Sequence, residues 1–207
     1  MFSFLTFFIS LTPGTGHRVL WENGVRHRDI SPSNLMFYLD SDGRVIGVLN
    51  DYDLSSLKIV PTGRERTGTV PFMAIELLSD KAVAGKVEHC YRHDAESFIW
   101  VLTWVSLRYE DGKLRSIGRP FDNWLTTDAN GCREKKSDFL LNVQSPNQDI
   151  AIPSSSHQSN WQMALYCLRV LYQQQPTSCL MDDKNVFHNW LYSQAPPWLL
   201  EQYPVHV

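Results

Sequence analysis

Residues 25–37 read VRHRDISPSNLMF, and the fold turns on how this stretch is understood. His27, Arg28 and Asp29 stand just ahead of a turn built on Pro32, and Asn34 follows Asp29 by five residues. One reading is a polar turn between two apolar segments, its Asp and Asn satisfying nearby backbone groups. The other is a loop that carries chemistry. The residues downstream decide between them.

Leu35 to Leu39 reads as a strand, Asp40-Ser41-Asp42-Gly43-Arg44 as a turn signalled by its D-G pair, and Val45 to Leu49 as a second strand. The two ends of a hairpin lie side by side, with paired Cα atoms about 5 Å apart. Asn34 immediately precedes the first strand, and Asn50 and Asp51 immediately follow the second. The hairpin therefore predicts that Asn34, Asp51 and the upstream Asp29 converge at one end of a small sheet. One amide oxygen and two carboxylates are hard ligands that suit Mg²⁺ with its waters and a substrate phosphate.

Further elements follow from the same kind of signal. A helix is predicted to end near Trp21 to Asn23, with Gly24 as its stop. Residues 55–70 are polar and turn-rich, and Glu76 to Ser79 reads as a short helix. From Asp94 to Leu107 the text is DAESFIWVLTWVSL. Asp94 is a good N-cap, and the residues after it are apolar almost all the way round. That run is too short to span a bilayer, which places it in a core. Pro120 to Leu141 and Asn160 to Gln174 read as further helical regions, with Ser145 to Ser159 as an exposed linker.

The bulk properties bound the rest. The 207 residues suffice for one domain with a sizeable core, and 43% apolar content is globular. A net charge of −3 gives no reason to expect a nucleic-acid partner or an acidic membrane. Cys90, Cys132, Cys167 and Cys179 form no CxxC pair, so the expectation is no zinc site, no disulfide framework and a reducing intracellular setting, cytoplasm or nucleus. MFSFLTFFISL at the start is apolar enough for a signal-peptide core. It lacks a leading basic residue and a small-residue cleavage site, so a buried start, or a stretch that is an artefact of the gene model, is expected instead.

Four motifs then stand in a recognisable order. H-R-D-x-x-x-x-N occupies His27 to Asn34, and Asp51-Tyr52-Asp53 follows in the place of D-F-G. Arg66 to Glu76 reads RTGTVPFMAIE, and His93-Asp94-Ala95-Glu96-Ser97-Phe98 opens the apolar run. Together these resemble the fungal-type protein kinase family over about residues 16 to 140. The resemblance implies a mainly α (α+β) fold: a protein kinase-like C-terminal lobe, residues 17–207, with a small β-hairpin. Residues 1–16 look foreign to the family. It also implies ATP and Mg²⁺ as cofactors and a protein hydroxyl as substrate. Asp29 resembles the catalytic base, with Ser31 beside it. Asn34 and Asp51 resemble the Mg²⁺ ligands, and Thr69 the substrate-docking threonine. His27, Arg28, Glu76 and Asp94 resemble scaffold residues, Asp94 as a brace for a loop. Glu76 implies a late arginine partner, for which Arg169 is the candidate.

The sequence departs from the family in three places. No G-x-G-x-x-G and no strand lysine precede His27, so the expectation is that the small lobe is absent. TPGTG at Thr12 to Gly16 reads as a simple turn and not a phosphate cradle. Ser31 stands where many such kinases carry a lysine, and so offers a hydrogen bond without charge. Asp53 replaces the glycine of D-F-G, where positive φ is favoured, and it competes with Asp51 as the metal ligand. Tyr52 in the middle position favours Asp51. A catalytically silent binding module and a small-molecule kinase are the alternatives. A lobe face left uncovered implies self-association.

Overall fold

A computed structural model of the chain describes residues 16–43, 45–57, 68–145 and 152–173. The apolar start, the TPGTG turn apart from Gly16, and Arg66 and Thr67 lie outside those residues. The described part is mainly helical, with three separate two-stranded antiparallel sheets.

Helix α1 spans Gly16–Glu22 and stops as predicted: the N–H of Gly24 donates to the Trp21 carbonyl at 2.9 Å, with Gly24 at φ 83°. Strand β1 (Val25–Arg26) follows and pairs with β4 (Ser56–Leu57). The loop at residues 27–34 is thereby tied down on its upstream side. On its downstream side β2 (Leu35–Leu39) pairs with β3 (Val45–Leu49) in the register Leu35↔Leu49 through Leu39↔Val45. The Asp42 N–H donates to Asp40 Oδ1 at 2.9 Å, and that of Gly43 to the Asp40 carbonyl at 3.0 Å, which closes the turn.

The centre of the core is α3, Tyr91–Arg108. It is buried nearly all the way round, as its mostly apolar stretch from Phe98 onward requires. Two of its hydroxyls fold back onto the preceding turn: Ser97 Oγ donates to the His93 carbonyl at 2.9 Å and Thr103 Oγ1 to that of Ile99 at 2.8 Å. Neither is left unsatisfied in the dry interior. The helix starts four residues earlier than the sequence indicates, with Cys90 and not Asp94 at its N-cap. Cys90 is the extended residue before it, and its N–H donates to His93 Nδ1 at 3.0 Å. Asp94 is therefore inside the helix and not its cap. Its carboxylate is used by partners the local spacing does not reveal.

The remaining helices are α2 (Asp80–Val83), α4 (Ala129–Asn142) and α5 (Gln158–Gln173). α5 packs along α3, and α4 packs against α5 and the segment at 70–78. Phe121 and Trp124, on a 3₁₀ turn before α4, meet Trp100 and Phe139 in an aromatic cluster with centroid separations of 4.2 to 6.5 Å. The region read as Pro120 to Leu141 is thus one 3₁₀ turn and a shorter helix. The linker before α5 is less exposed than its composition suggests. Ser154 and His157 are buried, and Ser154 Oγ donates to the Tyr109 carbonyl at 3.1 Å, where β5 (Tyr109–Glu110) pairs with β6 (Lys113–Leu114). Cys132 and Cys167 are free and buried, but Cys90 is disulfide-bonded, contrary to the expectation of four reduced thiols. No helix among the described residues is long and apolar enough to cross a membrane.

Candidate active site

The loop at residues 27–34 is built around two fixed side chains. His27 is buried, and its Nδ1 accepts the Asp29 N–H at 3.3 Å. That leaves Nε2 as the protonated nitrogen, which donates to the Asn50 carbonyl at 2.9 Å. The ring also meets Tyr52 edge-on, with centroids 4.7 Å apart at 70°. One imidazole thus joins the loop to the segment that follows the hairpin. Burial raises the Tyr52 pKa, and the Asp94 carboxylate adds to the shift. Arg28 sits at φ 73°, a conformation a non-glycine residue holds only where its surroundings impose it.

Asn34 is the second anchor. It is buried, and its Nδ2 donates to the Asp29 carbonyl at 2.8 Å and to Asp29 Oδ2 at 3.2 Å. The Asn34 carbonyl accepts the Asn50 N–H at 2.8 Å, which extends the hairpin pairing by one step. Asp51 is the next residue, exposed, at φ 61°. The positive φ expected at Asp53 falls two residues earlier, and Asp53 instead donates its N–H to Asp51 Oδ1 at 3.4 Å. Ser31 is buried, and its Oγ lies 2.8 Å from Ser33 Oγ, so its hydroxyl has a local partner.

Thr69 closes the site from the other side. Both its N–H and its Oγ1–H donate to Asp29 Oδ1, each at 2.8 Å. The approach depends on Gly68, at φ +127°, where a Cβ would stand 2.9 Å from the Arg28 carbonyl oxygen. Asp29, Asn34 and Thr69 are thus brought together across forty residues of sequence.

The predicted scaffold residues are held by partners that sequence reasoning missed. Glu76 pairs with Arg92 at 2.5 Å and with His93 Nε2 at 2.9 Å, not with Arg169, which lies exposed on α5. The His93 hydrogen bond, opposed by burial and aided by Arg92, brings the Glu76 pKa down to about 2. Burial pushes His93 down to about 4, against the pull of Glu76. The neutral ring accepts from Cys90 and donates to Glu76. Asp94 accepts from His17 Nε2 at 3.0 Å and His89 Nε2 at 2.7 Å. Burial alone would raise its pKa, but the two imidazoles hold it well below the carboxylate range. Asp94 braces α1 through His17 and, through His89, the loop just before its own helix. The one signal for this network in the sequence is the density of titratable residues in HCYRHDAE, residues 89–96.

The order and contacts of these residues can be compared with known families. Residues 14–106 match the fungal protein kinase family. The matched stretch contains His27 to Asn34, Asp51, Thr69, Glu76 and Asp94, and ends inside α3; the motifs alone had suggested a resemblance reaching about residue 140. No curated protein matches the chain.

The residues present also fit a magnesium ion in their chemistry. With its Nδ2 committed to Asp29, Asn34 keeps its carbonyl oxygen for another ligand, with one long contact from Ser33 Oγ at 3.4 Å. Asp51 offers an exposed carboxylate. A single carboxylate and a neutral oxygen suit an ion that retains water and binds phosphate. Among the described residues, no group of three or more His, Cys, Asp or Glu is placed to hold a metal, which leaves this sparse set as the candidate.

Proposed function

We propose that the kinase-like domain transfers phosphate from ATP to a protein hydroxyl, with Asp29 as the base. The observation that carries the reading is the way Asp29 is held. Thr69 donates to Oδ1 through both its N–H and its Oγ1–H, and Asn34 Nδ2 donates to Oδ2. With three donors among the described residues, the carboxylate keeps acceptor capacity at Oδ2 for an incoming hydroxyl and is held in one orientation. Protein substrates are favoured over small molecules because the segment from Gly68 to Glu76 resembles a peptide-docking loop and is fixed to the base through Thr69.

Each residue has a separate task. Asp29 accepts the substrate proton as the oxygen attacks. His27 and Asn34 fix the loop that carries it. Asn34 and Asp51 would hold Mg²⁺, which supplies neutralisation of the phosphate charge when bound. The packing of Tyr52 on His27 supports Asp51, and not Asp53, as the ligand. Ser31 acts through Ser33 on the loop's shape and brings no charge to the phosphate. Within the 207 residues nothing reading G-x-G-x-x-G stands ahead of His27. The chain by itself is therefore expected to hold Mg-ATP weakly and to turn over slowly.

The assignment of the metal segment is tested by paired substitutions in a version extended with an ATP-binding small lobe. Asp51→Asn should weaken Mg-ATP binding and lower the rate together. Asp53→Asn should leave both near the parent value. Calorimetric titration and initial rates measure the two effects, and the opposite pattern would move the ligand to Asp53.

A further inference from the structure

Lys136 lies on α4 with 0% of its surface exposed. Lysine is almost never fully buried unless paired. Its Nζ donates to the Met73 carbonyl at 2.5 Å and stands 4.6 Å from the Trp100 ring centroid and 5.7 Å from that of Trp124. Burial pushes its pKa down to about 7, opposed by Cys132 on its own helix and Glu96 on α3. An apolar side chain of similar length would fill this space without the cost of burying an amine. What the position supplies is a hydrogen-bond donor.

That donor holds one end of a short chain of contacts. The Met73 N–H donates to the Thr69 carbonyl at 3.2 Å and to that of Val70 at 3.3 Å. Thr69 then donates twice to Asp29 Oδ1. There is little slack in between, since a Cβ on Gly68 would already meet Met73 Cγ at 3.2 Å. A second anchor acts a little further on: the Ile75 N–H donates to Glu96 Oε1 at 2.8 Å, which also accepts Trp100 Nε1–H at 2.9 Å.

We propose that Lys136 is a positioning residue for the active site, fixing Met73 and thereby the Thr69 donors that aim the Asp29 carboxylate. The functional meaning rests on Asp29 as the base, but the contacts can be measured without turnover. Lys136 touches neither the substrate hydroxyl nor the phosphates in this account.

The test is amide hydrogen exchange by NMR on the full chain, comparing the parent protein with Lys136→Met. The Thr69 amide should exchange about tenfold faster, the equivalent of one hydrogen bond. The Ile75 amide, held by Glu96, should be unchanged. If Thr69 is unaffected, or if Thr69 and Ile75 speed up together, Lys136 only fills space and the proposal fails. Should the variant not fold, the parent protein decides. The Met73 carbonyl carbon and the Thr69 amide should then titrate together near pH 7, the value to which Lys136 is pushed. A titration at Met73 alone, or at neither, overturns the proposal. A failure of phosphate transfer would overturn the functional reading and leave the exchange result standing.

Discussion

His93 and Glu76 couple the front of α3 to the segment that carries Thr69, and both make the fold sensitive to acid. His93 is held at about 4, below its ordinary 6.5, and Glu76 at about 2, below its ordinary 4.5. In each case the unfolded chain binds the proton more readily than the folded one. The stability they contribute is full above about pH 6.5. It falls through the His93 window between 6.5 and 4, and then through the Glu76 window between 4.5 and 2. Asp94, also held low, acts in the same direction at lower pH. Thermal melts should show a midpoint that falls as pH drops below 6.5, and His93→Gln should flatten the upper part of that profile. A parent profile that is level from pH 7 to 4 would show that His93 is not buried as a neutral ring.

The hairpin was legible residue by residue, because its D-G turn and flanking apolar runs are local signals. The start of α3 was not. Asp94 has the chemistry of a cap, yet its oxygens go to His17, seventy-seven residues away, and to His89. Cys90 and His93 take over the end of the helix instead. The same limit hid the partners of Glu76 and the burial of Lys136, since a lysine in a helix text reads as surface. The contact between the two halves of the site was also invisible, because it runs through Gly68, whose place in RTGTV shows neither its φ of +127° nor the 2.9 Å approach. Gly68→Ala should therefore destabilise the protein by about 1–3 kcal/mol, the usual range for strain at such a position. It should also loosen Thr69 from Asp29. Denaturant melts measure the first effect, and an unchanged midpoint would mean that the loop yields without cost.

At the scale of the described residues, the hairpin β2–β3 adjoins the site and carries exposed apolar side chains. Met36, Phe37, Tyr38 and Leu39 are between 48 and 61% exposed, and Val48 is 39% exposed. Exposed apolar side chains on a short two-stranded sheet favour association. Light scattering on the 207-residue chain should show mass rising with concentration, and Phe37→Lys with Leu39→Lys should suppress the rise. A clean monomer at high concentration would show that this face is covered. The central claim is that the stretch from His27 to Asn34 is a catalytic loop and not a polar turn. The most direct measurement is the initial rate of phosphate transfer from Mg-ATP, in a version extended with an ATP-binding small lobe, before and after Asp29→Asn. The account predicts a fall of about 10²–10⁴, the usual contribution of a general base, with nucleotide affinity retained. A rate that survives Asp29→Asn unchanged would contradict it.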